Sequence, residues 1–178
     1  IGMQASETHI VRWNGAISQS DWKVGEPGDY ENEPWFSGGA LRFVAVQAGA
    51  IAALFDGVRD HLVKTGRDQD IHQTDRLAEL YACADISAAL VRQTARCSED
   101  TVETKLARVA HARTVVCDQA EHAILLAQQC VGVKSMFRDH PLSDIICNLM
   151  VYLRQPAPDA QKQKVGRAAA AGVIQPQL

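Results

Sequence analysis

The sequence predicts a mainly α protein, an antiparallel up-down-up-down four-helix bundle preceded by a short β-hairpin remnant. Three observations carry this. Apolar residues recur at steps of three, four and seven along four segments, the period of one helix face. Gly66, Gly132, Pro141 and Pro156 fall where those segments end or begin. The composition is 47% apolar but only 6% aromatic and rich in alanine, which suits closely packed helices. A chain of 178 residues is enough for one domain.

Residues 1–36 have a different texture and read as the tail end of a β-domain followed by a linker. Thr8 to Trp13 alternates partly, Asn14-Gly15 is a hairpin turn signal, and Ala16 to Val24 suits a return strand. Gly25 to Pro34 is dense in turn formers. A lone hairpin cannot bury its own face, so the expectation is a piece of something longer.

The first bundle helix is expected from a cap at Ser37, with Val44, Ile51, Leu54, Phe55, Val58 and Leu62 facing inward and Gly66 closing it. The second starts near Ile71, with Leu77, Leu80, Tyr81, Ala84, Ala88, Val91 and Ala95 as its stripe. The third follows Asp100, carries Val102, Leu106, Val109, Val116, Ala120, Ala123, Ala127 and Val131, and stops at Gly132. Pro141 suits the first turn of the fourth, whose face is Leu142, Ile145, Ile146, Leu149 and Leu153; Pro156 and Pro158 stop it. The bundle domain spans 37–160. Residues 161–178 are expected to be a loosely ordered tail with at most one helical turn.

A net charge of −3 argues against a general electrostatic grip on nucleic acid or an anionic membrane. No uncharged apolar run approaches the ~18 residues of a spanning helix. The five cysteines are odd in number and include no CxxC pair, which points to reduced thiols in a cytoplasmic protein rather than a disulfide or zinc framework. No glutamate has a histidine three residues on, as a di-iron bundle requires, so no metal is expected. GxSxG, phosphate-loop and GxGxxG patterns are missing as well. Glu121-His122 reads as a surface charge beside a packed imidazole. Arg92, Arg96, Lys105 and Arg108 read as solvated or inter-subunit helix faces.

Two stretches carry more chemistry. Gly66-Arg67-Asp68, followed by Gln73, and Gln129-Cys130-Val131-Gly132 each set a polar group beside a glycine turn at a helix end. Free backbone N–H groups and an arginine there suit a diphosphate; ordinary helix capping is the other reading.

With those stretches in view, the sequence resembles the acyl-CoA dehydrogenase family. Gly2-Met3-Gln4-Ala5-Ser6 is similar to that family's Gly-Met-Arg-Ala-Ser/Thr segment of the middle β-domain. The Asn14-Gly15 hairpin and Gly25-Glu26-Pro27-Gly28 match the strands and loop leading into the C-terminal helices. Arg42 to Ala45 fits the first helix, and Gln73 to Ala78 the opening of the second. Gln129 to Gly132, with Pro141 further on, keeps the spacing of the Gln-x-x-Gly-Gly loop, and Tyr152 fits the tyrosine of the last helix. The similarity covers roughly residues 1–160 and rests on order and spacing.

The resemblance implies a C-terminal part of an FAD-dependent oxidoreductase acting on an acyl-CoA or other acyl thioester, passing electrons to an electron-transfer acceptor. It also implies a homodimer or homotetramer in which Arg67, Gln73, Gln129 and Gly132 grip the adenosine diphosphate part of FAD. The pattern departs in several places. The Phe-Gly after the arginine is missing, Val133 replaces the second glycine, and Cys147-Asn148 replaces Arg-Asp. Pro156 stands where much of the family has its catalytic glutamate, and the nearest carboxylate is Asp159, the candidate base. Two alternatives follow: a non-enzymatic helical scaffold that has lost the cofactor, or a flavin monooxygenase on the same fold.

Overall fold

The computed structural model describes residues 2–6, 10–12, 14–15, 24–97, 100–154 and 157–176. It is mainly helical. After a short α1 (Trp35–Gly38) come α2 (Ala40–Lys64), α3 (Ile71–Arg96), α4 (Val102–Val131), α5 (Pro141–Tyr152) and α6 (Pro158–Ala170). No strand occurs among the described residues. Most of the expected hairpin lies outside them; within them, Asn14-Gly15 forms a turn. Gln4–Ser6 is a 3-10 turn where the resemblance implied strand.

Local chemistry sets the helix ends. The Asp70 carboxylate caps α3, accepting from the N–H groups of His72 and Gln73 at 3.0 Å each. Thr101 caps α4 by accepting from the Thr104 N–H at 3.2 Å. His140 caps α5 through Nδ1, with Pro141 in the first turn, where its missing N–H costs nothing. Ser37 is not the expected cap: it lies inside α1, with its N–H and hydroxyl donated to Glu33.

Helices α2, α3 and α4 pack pairwise on one another; α5 lies on α2 and α6 on α4. The Phe43–Tyr152 ring pair joins the start of α2 to the end of α5, and the His61–His140 pair joins the end of α2 to the residue that caps α5. The two helices therefore run in opposite directions. Val44, Ile51, Leu54, Val58 and Leu62 of α2 are fully buried, as their spacing predicts. Each such side chain contributes about 1.5–3 kcal/mol by leaving water. Leu142, Ile146 and Leu149 of α5, and Leu153 just past its end, belong to the same core.

The α3 and α4 faces differ from expectation at particular residues. Tyr81 is 56% exposed and Ala95 is exposed, while Cys83 and Ser87 are buried. Ser87 satisfies its hydroxyl on the Cys83 carbonyl at 2.7 Å, so a polar residue sits in the core at little cost. On α4, Val102 is exposed, and Ala112, Ile124, Leu126 and Cys130 join the buried stripe.

The expected loose tail is corrected by α6. Pro158 does not stop a helix but opens one, α5 having already ended at Tyr152. Its residues Asp159 to Ala170 are strong helix formers apart from Asp159, Val165 and Gly166, and Lys162 pairs with Asp118 of α4 at 3.4 Å. The segment 35–64 is long and apolar enough to cross a membrane by length and composition alone. In this fold its apolar stripe is core.

Candidate functional site

Two chain reversals meet at one end of the helices. The first ends α2. The Arg67 N–H donates to the Leu62 carbonyl at 2.9 Å and the Gly66 N–H to the Val63 carbonyl at 3.1 Å. This double bond pattern is a Schellman motif, and it needs the left-handed Gly66 at φ +64°. It leaves Arg67 just beyond the helix, where its guanidinium donates to the Cys130 carbonyl in the last turn of α4 at 3.4 Å.

Gln73 completes the contact. It lies in the first turn of α3 and is buried, held there by the Asp70 cap. Oriented with its amide oxygen toward the cations, it accepts from Arg67 at 2.6 Å and from Arg76 at 3.1 Å. Arg67, Gln73 and the α4 terminus are thus one cluster built from three helix ends. Gln129 is exposed on that last turn. Gly132 follows, donating its N–H to the Gln128 carbonyl with φ 78° and ψ −161°, a backbone conformation reserved for glycine. Its own carbonyl accepts from the Ser135 hydroxyl at 2.8 Å.

Cations gather at this end, where the C-termini of α2 and α4 present partly negative carbonyls. His61 has its pKa pushed below the ordinary imidazole value, first by burial and then by His140, Arg67, Lys134 and Lys64. The rings of His61 and His140 are 5.7 Å apart, edge to face. Burial pushes the Cys130 thiol up, with Arg76 and Arg67 pulling the other way. A guanidinium carries five N–H donors, and the two contacts above leave Arg67 capacity to face an anion. Of the nearby acids, Asp70 is committed to its cap.

Asp159 is not part of this cluster. It is exposed in the first turn of α6, lining a cavity of about 190 Å³ with Asp118, Glu121, Arg154 and Lys162. Its nearest α4 neighbours in that cavity end at Glu121, roughly 13 Å of helix rise from Cys130.

The fold also gathers residues that spacing did not single out. The Cys83 Sγ lies 3.8 Å from His122 Nδ1, and His122 Nε2 lies 3.4 Å from Glu79. The only sequence signal is that Glu79 and Cys83 are one helical turn apart on α3. The order thiol, imidazole, carboxylate has the form of a nucleophile triad, but the thiol is 2% exposed and its pKa is raised by burial and by Glu79. An activated cysteine needs the reverse. Arg108, expected on a solvated or inter-subunit face, forms a largely buried ion pair with Asp100 at 2.8 Å. Among the described residues no group of three or more His, Cys, Asp or Glu is gathered to hold a metal ion.

No protein-family model and no curated protein sequence matches the chain.

Proposed function

We propose that the chain is the C-terminal part of an acyl-CoA dehydrogenase-like flavoprotein, its helices arranged as an up-down-up-down four-helix bundle. The single observation that supports this most is the meeting of Arg67, Gln73 and the 129–132 turn at one end of the helices, where cations gather. Those are the residues that the resemblance assigns to the adenosine diphosphate part of FAD. The donor set fits a diphosphate: a guanidinium with spare N–H groups and further cations at Arg76 and Lys134, beside a glycine that adds no side-chain bulk. FAD, when bound, supplies the hydride acceptor for oxidation of an acyl thioester. In this reading Arg67 holds negative charge, Gln73 fixes the arginine's orientation, and Gly132 keeps side-chain bulk away from the phosphates. Asp159 is the candidate base, or else the proton is removed by a group outside these residues. The partners are an acyl-CoA substrate, an electron-transfer acceptor and a second copy of the chain, in a cytoplasmic protein.

A scaffold without cofactor is the second reading, and one observation favours it. Arg67 and Gln73 already satisfy each other and the α4 carbonyl, which is what a purely structural cap does. The visible spectrum of the protein purified from its own gene separates the two. Flavin bands that bleach on adding an acyl-CoA support the dehydrogenase. Flavin bands that bleach only with reduced nicotinamide support the monooxygenase. A colourless protein that added FAD does not reconstitute supports the scaffold.

A further inference from the structure

Gln47 of α2 holds a buried acceptor that nothing satisfies. The residue is 7% exposed, and its side-chain carbonyl oxygen has no hydrogen-bond partner among the described residues. An acceptor buried and left unmade is costly, and a donor brought by a ligand removes the cost. Gln47 lies where two cavities adjoin. One, of about 380 Å³, is bounded by the start of α2, the first half of α4 and α6. Its size falls within the range that holds small organic ligands. The other, of about 190 Å³, carries Asp118, Glu121 and Asp159, whose carboxylates accept and cannot donate to Gln47. Arg113 lines both cavities and already has a partner of its own. Neither cavity involves the Arg67 cluster, so the inference stands apart from the flavoprotein reading.

The larger cavity is aromatic on the side that Gln47 faces along its helix. Phe43 stands one helical turn before Gln47, which puts ring and acceptor on one face of α2. Tyr152 meets Phe43 edge to face at 6.0 Å, and Trp35 and Phe36 extend the lining. Such walls select a flat apolar ring. Charge selects little. Arg42 and Lys164 line this cavity from exposed positions, where water and salt screen them. In the adjoining cavity Asp118 pairs with Lys162 and Glu121 with Arg154. What remains is a flat apolar space with one buried acceptor. We propose that the larger cavity binds a neutral one- or two-ring aromatic of the indole or phenol class, whose N–H or O–H donates to Gln47.

The test is isothermal titration of the chain with three probes: indole, benzofuran, which keeps the shape and lacks the N–H, and indole-5-carboxylate. Indole should bind roughly three- to tenfold more tightly than benzofuran, the worth of one neutral hydrogen bond. Its affinity should not change with added salt, and the acid should bind no more tightly than indole. Gln47→Leu should erase the preference for indole while leaving benzofuran affinity in place. The same variant removes an unpaired buried group, so its melting temperature should not fall below wild type. Trp35 is 78% exposed, so Trp35→Ala tests the lining without threatening the core, and it should weaken both neutral probes. A wild type that binds no indole at millimolar concentration, equal affinity for indole and benzofuran, a preference that survives Gln47→Leu, or an acid that binds more tightly than indole would each overturn the proposal.

Discussion

The Arg67 guanidinium donates to the Cys130 carbonyl, tying the turn after α2 to the last turn of α4 across 63 residues of sequence. The tie depends on where the Schellman motif leaves Arg67, and so on Gly66. A left-handed conformation costs a residue with a Cβ about 1–2 kcal/mol. Gly66→Ala should therefore lower the unfolding free energy by that amount, read as a lower urea midpoint at an unchanged slope, and Gly66→Asn should lose less. Equal stability of Gly66→Ala and wild type would show that the turn does not need the left-handed residue.

The α3 face supplies a second prediction. Leu80 is fully buried and Tyr81, its neighbour in sequence, is 56% exposed. Leu80→Asp places an unpaired carboxylate in the core at a cost of several kcal/mol and should abolish cooperative unfolding. Tyr81→Asp should fold and melt within a few degrees of wild type. Circular dichroism melts of the two variants decide the matter, and the reverse ranking would refute the face described.

That pair also shows what was legible in the sequence. The α2 and α5 stripes were readable because most of their inward positions are large aliphatic residues, with Gln47, Ala48 and Ser143 the exceptions. On α3 the inward positions include Gln73, Cys83 and Ser87, which apolar counting discards, so Tyr81 and Ala95 were assigned inward instead. Helix α6 was hidden because Gln, Lys and Ala form a helix without an apolar period; only Pro158 at its start and Gly172 after its end marked it. Of the candidate site, Arg67 and the glycine turns were legible as helix ends. The meeting of Gln73 with them followed only from the resemblance, and its burial was not legible, since a glutamine in a first turn gives no sign of being buried.

Histidine titration gives a third prediction. His61 has a folded pKa below 6.5, so the unfolded chain takes up the proton first. This group leaves stability unchanged above that value and removes it as pH falls through 6.5 toward the folded pKa. The thermal midpoint of wild type should therefore drop more between about pH 7.5 and about pH 5.5 than that of His61→Gln. Identical drops in the two proteins would contradict the assigned direction.

Thiol reactivity gives a fourth. Cys83 is buried with a raised pKa, whereas Cys97 and Cys147 are partly accessible. Alkylation at neutral pH followed by peptide mass mapping should label Cys97 and Cys147 first and Cys83 only on unfolding. Rapid, selective labelling of Cys83 would instead mark the Cys83–His122–Glu79 arrangement as an activated nucleophile.

In the proposed flavoprotein, Arg67 would hold the diphosphate of FAD. A hydrogen bond to a charged group is worth about 1.5–3 kcal/mol, so its loss should weaken FAD by roughly ten- to a hundredfold. The direct measurement is the flavin-to-protein absorbance ratio after equilibrium dialysis of wild type and Arg67→Ala, both purified from the protein's own gene, with circular dichroism to compare helix content. The account predicts a yellow wild type and an Arg67→Ala variant depleted of flavin at equal helicity. A wild type that takes up no FAD, or a variant that retains as much flavin as wild type, would contradict it.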